Sequence, residues 1–118
     1  VIAVGDVEEA AQRFARFTGR SATATPGGAL IRLDRGGVYL VSHHRATEKL
    51  PEVPVTSLPF IIGYALGVES LAAAEKAVDG ADLEWRALED GIVATFPTEL
   101  GEGAWFFIEQ PDALPWRR

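Results

Sequence analysis

The chain has 118 residues, with 11 Lys and Arg against 17 Asp and Glu, giving a net charge of −6. Its 47% hydrophobic and 24% charged content suits one folded domain, and the acidic balance argues against nucleic-acid backbone binding. Without cysteine, disulfides, thiolate metal sites and cysteine nucleophiles are excluded, and no apolar run approaches the roughly 20 residues that span a bilayer.

Methionine is absent and the chain opens at Val1 inside a β-branched run, so we expect it to be part of a longer chain. Val1 to Val4 reads as a buried strand. Asp6 follows as a helix N-cap, with Glu9 in the capping-box position and Glu8 and Glu9 facing the positive end of the helix dipole. Val7, Ala10, Ala11 and Phe14 form one apolar face, and Gly19 is a natural stop. Three strands are predicted next, over residues 21–25, 29–33 and 38–42, separated by Pro26-Gly27-Gly28 and by Asp34-Arg35-Gly36-Gly37.

Residues 45–59 read as a linker, charged at first and then carrying Pro51, Pro54 and Pro59. The pattern then restarts. A strand over 60–65 precedes Ser70, which takes the N-cap role of Asp6. Leu71, Ala74, Ala77 and Val78 supply the second apolar helix face. Strands are predicted at 83–88, 92–96 and 104–110, with Asp90-Gly91 as a hairpin turn. Both units are βαβββ, with Val4 and Val68, and Asp6 and Ser70, in matching positions. One such unit is too small to bury a sheet alone. We therefore expect an α+β domain in which the two tandem modules pair. They would form a curved, mostly antiparallel sheet around a cleft, with the helices outside. The divisions are module one at 1–44, the linker at 45–59, module two at 60–110 and a tail at 111–118, within one domain of 1–118.

This organisation resembles the vicinal oxygen chelate superfamily of glyoxalases, extradiol dioxygenases and bleomycin-resistance proteins. The segment from Val1 to Ala11, with Phe14 and Gly19, is similar to the family's opening strand and helix. Gly101 to Phe107 is similar to its last hairpin and strand. The resemblance implies a cleft in which active members hold a divalent metal with His and Glu side chains, the Lewis acid chelating two neighbouring substrate oxygens. Carried onto this chain, one ligand position falls before Val1. The others fall on Val41, Gly63 and Phe107, none of which offers a donor. The same register places Tyr39, Val41 and His43, Gly63 and Ala65, and Trp105, Phe107 and Glu109 on the cleft face.

His43 and Glu109 are the candidates for catalysis, as a lone base or ligand pair. The plainer readings are a polar strand end for His43 and a surface carboxylate for Glu109. Trp105 and Phe107 equally fit a packed core or a subunit interface. Arg32, alternating with Ile31 and Leu33, is placed to reach a substrate carboxylate or simply to meet solvent. Arg13, Arg16 and Arg20 read as the solvated helix face. Gly101 and Gly103 lack the rest of a dinucleotide fingerprint, and Ser42 lacks a nucleophile-elbow setting. The expected function is a glyoxalase-like domain with a metal-free cleft for a small apolar or aromatic metabolite. The alternatives are a metal-dependent lyase or isomerase of the lactoylglutathione lyase type, with a divalent metal as cofactor, and a structural dimerisation domain. We expect no cofactor under the first reading, a homodimer or a neighbouring domain as partner, no nucleic acid or membrane, and a cytoplasmic setting.

Overall fold

Local chemistry starts and stops each element. The computed structural model describes residues 1–111 and 113–117, with Arg117 as backbone alone; Asp112 and Arg118, within the expected tail, lie outside the described residues. After β1 (Ile2–Val4), the Asp6 carboxylate accepts the Glu9 amide at 3.0 Å and opens α1 (Val7–Thr18). Gly19 closes the helix in the left-handed region at φ 69°, its N–H donating to the Ala15 carbonyl. The strands β2 (Ala22–Thr25), β3 (Gly28–Arg32) and β4 (Gly37–Ser42) complete the first βαβββ unit.

The segment expected to be an irregular linker begins as a helix. The Ser42 hydroxyl accepts the Arg45 amide and starts α2 (His43–Lys49), so His43 opens a helix and does not end a strand. A short strand, β5 (Phe60–Ile61), and β6 (Gly63–Gly67) follow. Ser70 caps α3 (Leu71–Gly80) through the Ala73 amide, as Asp6 caps α1. The strands β7 (Trp85–Leu88), β8 (Gly91–Thr95) and β9 (Ala104–Ile108) complete the second unit.

The duplication is visible in the strand order. One sheet runs β2-β3-β4-β1-β5 and the other β7-β8-β9-β6. In both, the first and last strands of the module pair in parallel and the remaining pairs are antiparallel. The fold is therefore α+β, with paired βαβββ modules. A single residue joins the sheets. Ile62, fully buried, donates to the Val1 carbonyl at 3.0 Å and accepts the Ala104 amide at 3.0 Å. Residues 60–61 thus belong to the first sheet and 63–67 to the second.

Each sheet buries two faces. Outside the first, α1 packs Ala10 onto Val4, Ile31 and Leu40. Between the sheets lies the main core, with Ala3, Tyr39 and Val41 on one side and Val93, Phe106 and Ile108 on the other. Ala46, Leu50 and Val53 enter this core from α2 and the turn after it, and Ala113, Leu114 and Trp116 enter it from the tail. α3 lies against β8 and β9 on the opposite face of the second sheet.

A charged clamp fastens the segment after α2 to module two. Arg86 on β7 donates to the Glu52 carboxylate and, through Nη2, to the Lys49 carbonyl at 2.8 Å. Burial raises the Glu52 carboxyl, but the Arg86 hydrogen bond, its own backbone amide and the Arg86 charge outweigh this and hold it below the usual value. A carboxyl with a depressed folded value stabilises above its unfolded value, and that stabilisation is lost as pH falls through the folded value. Glu52→Gln should therefore lower stability by about 0.5 kcal/mol at about pH 7. The gap should close at about pH 3, read by urea unfolding at both values.

Candidate functional site

Strand alternation decides which side chains reach the space between the sheets. On β3, Leu30 packs towards the main core while Ile31 faces α1. On β4, Tyr39 and Val41 point inwards and Leu40 outwards. On β9 the inward residues are Ala104, Phe106 and Ile108. The β6–β9 register matches Gly63, Ala65 and Gly67 to those three, so they share the inner face.

Part of this space is already occupied. Trp116 is fully buried, edge-on to Phe106 at 5.0 Å between ring centres and tilted against Tyr39 at 6.1 Å. The Tyr39 hydroxyl donates to the Trp116 carbonyl at 3.0 Å and shares a 2.5 Å hydrogen bond with the Thr25 hydroxyl. The indole N–H of Trp116 has no partner among the described residues, so apolar burial and the Tyr39 bond hold the tail in place.

Beyond the plug, a cavity of about 610 Å³ remains open to solvent. Leu30, Tyr39 and Arg32 line it from the first sheet, with Arg35, Gly36 and Gly37 from the β3–β4 turn. Residues 64–67 of β6 form a second wall. Ile108, Glu109, Gln110, Pro111 and Leu114 complete it. Its volume falls within the range of small-molecule sites, about 300–1,000 Å³. Gly37 sits opposite Arg32 in the β3–β4 register, and a Cβ there would stand 3.4 Å from Leu30 Cδ1.

Three of the eight expected cleft residues line this cavity: Tyr39, Ala65 and Glu109. Val41 and Gly63 lie on the inner face but are sealed in the core; a Cβ on Gly63 would stand 2.1 Å from the Ala104 carbonyl oxygen. His43 is exposed at the start of α2, outside the cavity lining, because the Ser42 cap turns the chain into a helix there. Trp105 and Phe107 face away from the cleft. The expected register on β9 is one residue out, and such a slip exchanges the two faces of a strand. Trp105 instead packs against Phe96 at 4.6 Å on the outer side.

Glu109 does not pair with His43. Its Oε1 accepts the Leu71 amide at 2.9 Å, satisfying a free donor in the first turn of α3 at the cavity rim. Leu30, Arg35, Tyr64, Leu66, Ile108 and Leu114 escaped the sequence reading. For Leu30 a signal exists, since Leu30 and Arg32 share one face of a strand.

The metal set implied by the family resemblance does not fit these residues. Val41 is core, Gly63 has no donor, and Phe107 faces outwards; its inward neighbours Phe106 and Ile108 carry none either. Among the described residues no three His, Asp or Glu side chains converge on a common point.

No family model matches this chain, and no curated protein matches it. Among solved structures it is similar to a hypothetical protein, SA1046 from S. aureus, at 18% identity over 90% of this chain and 87% of that one, with a TM-score of 0.40. It is similar to the oxidase ChaP-H2 at 13% identity over 92% and 88%, with a TM-score of 0.34. A glyoxalase/bleomycin resistance protein/dioxygenase from Nocardioides matches at 17% identity over 96% and 83%, with a TM-score of 0.38. The fold assignment rests on strand order and register, and these likenesses add nothing to it.

The two sides of β9 have different roles, which two substitutions separate. Trp116→Ala removes the plug and should lower unfolding free energy by about 3–5 kcal/mol. Phe107→Ala, half-buried on the outer face, should cost about half as much and leave the cavity intact. Urea unfolding of the two variants checks both.

Proposed function

We propose that the chain is a small-molecule-binding module whose ligand lies in the 610 Å³ cavity between the two βαβββ units, bound without a metal. The carrying observation is the cavity itself. Both modules build it, it has apolar walls at Leu30, Ile108 and Leu114, and it stays open although α2 and Trp116 fill the rest of the cleft. A domain serving dimerisation alone, with its cleft packed shut, would leave no such space.

Binding is favoured over catalysis by the polar groups present. The Tyr39 hydroxyl is engaged by Thr25 and the Trp116 carbonyl, and Glu109 is engaged by α3. Neither stands beside a nucleophile, and the position of His43 supports no base at the cavity. With no fitting donor set, no reaction step runs through a metal. The resemblance to glyoxalase-like domains agrees with an apolar or aromatic ligand. No helix among the described residues is long and apolar enough to cross a membrane. A cytoplasmic setting and a homodimer belong to the same proposal. The dimer draws support from the exposed Ile61, Tyr64 and Leu66, and sedimentation reads it.

Ala65 is exposed on the cavity wall, so a larger side chain there enters the cavity without displacing core. The neutral aromatic probe N-phenyl-1-naphthylamine should bind the protein with one-to-one stoichiometry, read by its fluorescence. Ala65→Trp should weaken it by about tenfold or more while leaving the unfolding midpoint unchanged. Equal binding by the variant would place the site elsewhere.

A further inference from the structure

We propose that the cavity selects amphiphilic anions, with Arg32 and Arg35 holding the charged group and the apolar walls holding the body of the ligand. This rests on the binding reading above and adds the ligand's chemical class.

The two arginines reach the cavity by different routes. Arg32 ends β3 on the face that carries Leu30, so its guanidinium lies at the end of an apolar row. Arg35 comes from the turn that follows. Neither makes an ion pair or a side-chain hydrogen bond among the described residues. The one acid in that turn, Asp34, is bound by Arg20 at the foot of α1 and does not neutralise them. The other charged side chain among the described residues of the lining, Glu109, already accepts the Leu71 amide.

Two guanidinium groups with no ion-pair partner among the described residues, beside a glycine turn, make a local positive mouth on a chain of net charge −6. A guanidinium presents a planar fork of donors that matches a carboxylate, sulfonate or phosphate. Next to it, the inward-facing Leu30, Tyr39 and Ile108 offer apolar surface on the lining, against which a bound hydrocarbon or aromatic body would be removed from water. A neutral ligand would leave the guanidinium groups partly desolvated without a partner, which disfavours it.

A matched probe pair tests the charge alone: 8-anilinonaphthalene-1-sulfonate and its sulfonate-free counterpart, N-phenyl-1-naphthylamine. The sulfonate should bind about tenfold more tightly, and its affinity should fall with added salt. The double variant Arg32→Gln with Arg35→Gln, both at exposed positions, should erase that preference by weakening the sulfonate about tenfold without weakening the neutral probe. Ala65→Trp should weaken both probes together. Equal affinities in the parent protein, a sulfonate preference that survives the double variant, or sulfonate binding that Ala65→Trp leaves unweakened would overturn the anion assignment while the binding reading stands. If neither probe binds, both readings fall.

Discussion

Everything in this molecule hangs from the hydrogen bonds of one residue. Ile62 gives its N–H to Val1 and its carbonyl to Ala104, so a single extended segment serves as edge strand for one sheet and first strand for the other. A buried backbone group needs a partner, and at this position the partners belong to different modules. The seam leaves no room for side chains on its inner side, which is why glycine stands at 63 against the Ala104 carbonyl. The facing of β6 and β9 follows from it, and with that facing the identity of every residue between the sheets.

The cleft that results is asymmetric. At one end, Ala46, Leu50 and Val53 meet Trp116, Phe106 and Tyr39 in a dry core. At the other, the β3–β4 turn and β6 leave a solvent-filled space with two cationic side chains at its mouth. Tyr39 belongs to both: its ring walls the cavity while its hydroxyl anchors the tail. The same architecture thus supplies a packed core on one side and an open cavity on the other.

Much of the fold is legible in the sequence because its signals are local. Asp6, Ser70 and Gly19 act within a helical turn, and the strands alternate as their composition suggests. The repeat of caps and strands across the two halves gives the pairing of modules. The site is less legible because it depends on a face, and a face depends on a register that only the cross-strand pairing fixes. On β4 the inward Tyr39 and Val41 match the sequence reading. On β9, with apolar residues at every position from 104 to 108, alternation gives no clue, and Trp105 and Phe107 look as suited to the inside as Phe106 and Ile108. α2 was hidden for another reason. Seven residues with one buried alanine carry too short a period to see, and only the spacing of Ser42, Ala46, Leu50 and Val53 betrays it.

The tail's place in the core also has a temporal side. During synthesis β1, α1 and β2 to β4 can assemble once residue 42 has left the ribosome, with one face of their sheet already covered by α1. The other face, with Tyr39 and Val41, waits for β9 and then for Trp116, 77 residues after Tyr39. Contacts so distant along the chain form late. A nascent chain therefore carries an uncovered apolar sheet while the residues between Ser42 and Trp116 are added, and Trp116 is among those that close it.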